Sequence, residues 1–193
     1  MGTRAVISIY KPKVHGNQWS SGRLKLTNSG DSIEAGWMVN PGVFKDDEPH
    51  FYAKYSAGRK GCINTECPGY VQVDMENPLG QILHHSIING KNSWVIDLTI
   101  EKHEDDGNWW LSFVKSDGRG FLIGYWPKTL FSTMVEAASQ IEWGGEIYNP
   151  GASKPQPEMG SGKKATYITA TSAYIYMGLK SSMKISKLLN PVT

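Results

Sequence analysis

A chain of 193 residues with a formal net charge of +2 has room for one domain with a sizeable core, and a single domain over residues 1–193 is expected. Its charge is too balanced to gather polyanions, so nucleic acid is not an expected partner. No stretch approaches the ~20 uninterrupted apolar residues of a membrane helix, and the first residues lack the charged-then-apolar pattern of a signal peptide, so no membrane partner is expected. Seven Trp, nine Tyr, 21 Gly and ten Pro against 20% charged residues make a β-rich composition.

Met1 directly precedes a strand-like run, the arrangement expected where a longer precursor is cut. Period-two alternation of apolar and polar residues marks strands with one buried face, and it recurs along the chain where helical periodicity hardly does. The first such run covers residues 5–10. Asn28-Ser29-Gly30-Asp31 supplies turn chemistry, and strands are expected over 32–40 and 50–57. Cys62 and Cys67 are the only cysteines, too few for a structural zinc without histidines from elsewhere. A local disulfide closing a small loop, and with it an oxidising compartment, is the expected state; two free thiols remain the alternative.

A strand over 70–74 leads to a turn at Asn89-Gly90-Lys91-Asn92. From Trp94 to Glu101 the even positions are apolar and the odd ones mostly polar, which predicts another strand. Strands at 109–114 and 120–126 flank Ser116-Asp117-Gly118-Arg119-Gly120, a hairpin signal, and alternation places Trp109 and Trp110 on opposite faces. Pro127 followed by Leu130, Met134, Val135 and Ala138 predicts a short connecting helix over 127–138. A strand over 140–148 precedes a Pro-, Gly- and Ser-rich loop over 149–164, either functional or merely mobile. A last strand is expected over 165–173. Lys180, Lys184 and Lys187 read as a solvated surface.

Many short strands separated by turns indicate an all-β sandwich or barrel. Two strands carry a carboxylate beside glycine. In the first, Ile33, Ala35, Trp37 and Val39 point one way and Glu34, Gly36 and Met38 the other. In the second, Ile141, Trp143 and Ile147 oppose Glu142, Gly144, Glu146 and Tyr148. Glycine within a strand sacrifices packing and often marks a close approach of ligand or backbone. Glu34 and Glu146 are therefore candidates to line one groove, with Gly36, Gly144, Gly145 and Tyr148 as substrate-binding positions. The residues alone leave another reading open, in which both glutamates face solvent beside bulges.

Six ordered segments carry a resemblance: Ile33-Glu34-Ala35-Gly36-Trp37, Gly61-Cys62 with Cys67, Gly107-Asn108-Trp109-Trp110, Gly124-Tyr125-Trp126-Pro127, Trp143-Gly144-Gly145-Glu146 and Met159-Gly160-Ser161-Gly162. They resemble the signature segments of the plant neprosin family, over nearly the whole chain. The resemblance implies an antiparallel two-sheet β-sandwich, jelly-roll or concanavalin-like, with a cleft on its concave face. It also implies a secreted glutamic peptidase whose catalytic pair falls on Glu34 and Glu146, needs no cofactor or metal, and cleaves peptide or protein substrates after proline at acid pH. An N-terminal pro-domain, absent from this chain, and a monomeric state are further expectations. The family is in turn similar to fungal glutamic peptidases, whose pair is a glutamate and a glutamine; by that likeness Glu146 is the general base and Glu34 the electrophilic partner. The chain departs from the family at its end, where Lys187-Leu188-Leu189-Asn190-Pro191 follows without further cysteines.

Two carboxyls facing one water would share a proton, because like charges close together resist double ionisation. The ionised member then takes a proton from water while the other donates toward the oxyanion or the leaving nitrogen. The same acid and base roles serve a glycoside hydrolase, and a sandwich can outlive its site as an inactive binding module. Neither alternative is removed by the residues alone. His84-His85 lacks spaced acidic or cysteine partners, and His15, His50 and His103 are scattered, so no metal site is expected. No nucleophile elbow supports a Ser-His-Asp mechanism.

Overall fold

The alternating runs pair into two antiparallel sheets in a computed structural model that describes residues 2–90, 92–115, 117–151, 155–164 and 172–180. In chain order the strands are β1 (Gly2–Ser8), β2 (Trp19–Asn28), β3 (Asp31–Val39), β4 (His50–Ala57), β5 (Lys60–Ile63), β6 (Val71–Gln72), β7 (Val95–Lys102), β8 (Trp109–Val114), β9 (Gly120–Trp126), β10 (Gln140–Tyr148) and β11 (Ile175–Lys180). One sheet runs β11-β1-β7-β8-β9-β6 and the other β10-β2-β3-β4-β5. The expected two-sheet sandwich is the observed fold.

Alternate residues of both sheets meet in one core, with Ile7, Leu98, Ile100 and Leu111 from the first and Leu24, Ile33, Trp37 and Phe51 from the second. Each such aliphatic side chain contributes about 1.5–3 kcal/mol by leaving water. Trp37 joins the layers, its indole Nε1 donating to the Ser8 carbonyl at 2.9 Å. The ring crosses β2 where a Cβ on Gly22 would stand 2.6 Å from Nε1 and 3.0 Å from Ile7. Glycine at 22 is thus a packing requirement.

β2 and β5 are not among the strands expected from alternation, and β6 is shorter than the run expected over 70–74. The strand expected over 165–173 falls largely on residues outside those described, while β11, a little further on, pairs with β1. Trp109 is buried and donates to the Met134 carbonyl at 2.9 Å. Trp110 faces outward against Tyr125, their ring centroids 4.7 Å apart, as alternation requires.

The helix expected over 127–138 does not form; a single 3-10 turn at Lys128–Leu130 stands there. Asp31 Oδ2 accepts from the backbone N–H groups of Ser132, Thr133 and Met134, and Asn28 Nδ2 donates to the carbonyls of Thr133 and Ala137. Backbone groups a helix would need are engaged by the 28–31 turn instead. A four-residue α-helix, α1 (Pro41–Phe44), follows β3 and is capped by Asn40, whose Oδ1 accepts from Gly42 N–H at 3.1 Å. Described parts of the 149–164 loop are docked: the buried Gln18 amide donates to Asn149 Oδ1 at 3.1 Å and to the Pro155 carbonyl at 2.7 Å.

Candidate functional site

The second sheet turns one face to the core, and the alternate residues on its other face fall into rows fixed by register. One row crosses Glu142, Lys25, Glu34 and Lys54; the next crosses Gly144, Arg23, Gly36 and Tyr52; the third crosses Glu146, Ser21, Met38 and His50. Glu34 and Glu146 therefore share a face, two strands and two rows apart. Arg23, on the strand and in the row between them, is the midpoint of that diagonal. In a regular sheet the two Cα atoms stand about 13–14 Å apart along the strands and about 9–10 Å across them, so a long cation is the natural bridge.

Arg23 occupies that position, but its hydrogen bonds run to Glu146 and Glu142, and it meets Glu34 only through its charge. Its Nε donates to Glu146 Oε2 at 2.9 Å and its terminal nitrogen to Glu142 Oε2 at 3.2 Å. Burial works against its charge, but Glu34, Glu146 and Glu142 together outweigh it and raise its pKa above the usual arginine value. Glu34 is the more enclosed of the pair, with 4% of its side chain exposed against 35% for Glu146. The Tyr52 hydroxyl donates to Glu34 Oε1 at 3.2 Å. Burial, and then the negative charge of Glu34, hold that phenol well above its ordinary pKa, so Tyr52 stays a donor. Lys25 and Lys54 approach Glu34 from the two neighbouring strands, at 3.9 and 3.8 Å.

Open space borders this array on both sides. A cavity of about 540 Å³ is lined by Glu34, Lys25, Lys54 and Met38, with Trp19 and Cys62 also on its wall. A second, of about 380 Å³, is lined by Arg23, Glu142 and Gly144. Glu146 joins the site through Arg23. Cys62 and Cys67 are disulfide-bonded, so the local loop expected from their spacing is closed. Among the described residues, no group of three or more His, Cys, Asp or Glu side chains is arranged to hold a metal ion.

The glycines separate into three kinds. Gly144 has nothing within 4 Å of where a Cβ would stand, and it borders the smaller cavity. Gly36 also lies on the site face, but its Cβ would fall 2.0 Å from the Gly22 carbonyl oxygen; the close approach it permits is that of β2. Gly145, also expected among the substrate-binding positions, lies on the other face by alternation yet still lines the smaller cavity beside Gly144. It pairs with Gly22, and a Cβ there would stand 2.7 Å from Met159. Tyr148 shares the face of Glu146, 48% exposed and stacked on Trp19 with centroids 5.8 Å apart.

A family model described as Neprosin matches residues 16–187, a span that holds the whole second sheet and both glutamates. The chain belongs to the neprosin family. Neprosin membership supports peptidase activity in general terms. Of the residues around Glu34 and Glu146 on this face, Arg23, Lys25, Tyr52, Lys54 and Trp19 were not among those expected from the sequence. A signal existed for two of them, since Arg23-Leu24-Lys25-Leu26 alternates as a strand should. The Ser20-Ser21-Gly22 stretch before it reads as a turn, which concealed β2.

Proposed function

We propose that the protein is an endopeptidase of the glutamic type, hydrolysing peptide bonds at acid pH with Glu146 as general base and Glu34 as general acid. The observation that carries this reading is the Glu146–Arg23–Glu34 diagonal on a groove-bearing face, with Tyr52 holding Glu34 from beneath. A guanidinium hydrogen bond is strongest to a carboxylate, the form in which a base works. Glu34 is held at one oxygen by the Tyr52 hydroxyl, and in the proposed step it acts as the proton donor.

In the proposed reaction a water attacks the scissile carbonyl, its proton passing to Glu146, while the proton on Glu34 goes to the developing oxyanion. Collapse of the tetrahedral intermediate returns a proton to the leaving nitrogen, releasing an acid and an amine. The step needs a proton on Glu34 at the start, and for this reason activity is assigned to acid pH. The exposed Trp19–Tyr148 stack offers an aromatic face of the kind that holds proline-rich chains, in keeping with cleavage after proline. The disulfide suits an oxidising compartment, and we read the protein as secreted.

The test is cleavage of proline-containing peptides between about pH 2 and 7, a range spanning carboxyl titration, by the wild type, Glu34→Gln and Glu146→Gln. Glu146→Gln is expected to lose nearly all activity. Glu34→Gln should keep part of it, because a neutral amide can still donate a hydrogen bond. Equal rates in the three proteins overturn the assignment.

A further inference from the structure

Resting on that reading, we infer that the groove recognises an acidic side chain of the substrate through Lys25 and Lys54. The two lysines flank Glu34 in one row, on β2 and β4. Glu34 is the one acid among the described residues with which either forms an ion pair, and 3.8–3.9 Å is too long for a hydrogen bond. Glu142, the other carboxylate of that row, is engaged by Arg23.

Charge is therefore unevenly placed. On the β10 side one arginine faces two glutamates; on the β4 side two lysines face one. The surplus on the β4 side is one positive charge when Glu34 is ionised and two when it carries the proton the mechanism requires. In the working state both ammonium groups lack a counterion, in a partly enclosed groove where charges are screened less than on open surface.

Both lysines line the larger cavity, where Glu34 is the one acid among the described residues. Both can be reached from it, with 25% of the Lys25 side chain and 42% of the Lys54 side chain exposed. The next row toward the disulfide holds Ser32, Ser56 and Gly61, which adds two hydroxyl donors and no negative charge. Successive rows lie about 7 Å apart, the span of two residues of extended peptide. A substrate carboxylate within two residues of the cleaved bond, on the side that runs toward Cys62, would meet both ammonium groups. A solvated-surface role would leave these lysines pointing outward; here they converge on the cavity wall beside the catalytic acid.

The experiment compares peptides that carry Glu or Gln at each of two positions on either side of the cleaved bond. The wild type is expected to favour Glu at one position by about fivefold for each lysine engaged. In Lys25→Gln/Lys54→Gln the Glu-to-Gln ratio of kcat/KM should fall to about one by the same reasoning, whatever the absolute rate. Binding of the same peptide pairs to Glu146→Gln, followed by calorimetry, separates recognition from chemistry. A lysine-dependent preference in binding without cleavage would keep the acidic subsite and remove the peptidase reading. Cleavage with no preference, or with a preference the double variant retains, overturns the subsite and leaves the peptidase reading standing. Peptides neither bound nor cleaved overturn both.

Discussion

Asp31 opens the strand that carries Glu34, and replacing it with asparagine measures how firmly that strand is anchored. Its Oδ2 accepts from Thr133 N–H at 2.6 Å, Ser132 N–H at 2.7 Å, the Thr133 hydroxyl at 2.9 Å and Met134 N–H at 3.3 Å. In Asp31→Asn the amide oxygen can keep these donors, and the NH2 replaces Oδ1, which is buried without a hydrogen-bond partner. What disappears is the charge. Charge-assisted bonds are about twice as strong as neutral ones, and the oxygen's three short bonds share one acceptor, so the loss is about 2 kcal/mol. For a protein of this size that is about 4–8 °C in Tm.

The pH dependence has a definite sign. Burial raises the Asp31 pKa, but the bonds from Thr133, Ser132 and Met134 outweigh it and bring it below the ordinary aspartate value. The contribution is therefore complete above the unfolded pKa of about 3.9 and disappears as pH falls through the lower native value. Thermal melts of wild type and variant from about pH 2 to 7 are the assay over that carboxyl range. The gap should be constant above about pH 5 and close toward pH 2. Equal melting temperatures at pH 6, or a gap as wide at pH 2 as at pH 6, would refute the electrostatic account.

Arg23→Gln removes the midpoint of the diagonal. Glu142 and Glu146 are exposed enough to rehydrate, so the expected stability loss is only about 1–2 kcal/mol, whereas kcat/KM on peptides should fall steeply and Arg23→Lys recover part of it; a folded Arg23→Gln with wild-type kcat/KM removes the role. Gly36→Ala sets a Cβ 2.0 Å from the Gly22 carbonyl oxygen and should lower Tm by more than 5 °C, about 2 kcal/mol of backbone displacement at the least. Gly144→Ala, with open space in place of that contact, should leave Tm within about 1–2 °C. Similar melting temperatures for the two alanine variants would contradict the separation of structural from groove-facing glycine.

Alternation alone placed Glu34, Gly36, Gly144, Glu146 and Tyr148 on faces opposite Trp37 and Trp143, because a strand's side-chain period is two whatever surrounds it. The same rule separated Trp109 from Trp110, and a gap of four residues allowed the Cys62–Cys67 loop to close. Applied strictly, it also turns Gly145 to the face opposite Gly144, although both line the smaller cavity. Local sequence could not show that Arg23 stands between two glutamates more than a hundred positions apart, because which strands become neighbours is decided by sheet order and register. The 127–138 segment shows the same limit from the other side. Its apolar spacing suits a helix, yet a carboxylate a hundred residues earlier captures its amide groups, and a short helix cannot compete with buried, charged hydrogen bonds. Composition and pattern determined what each strand could present; the tertiary structure decided what each residue would face.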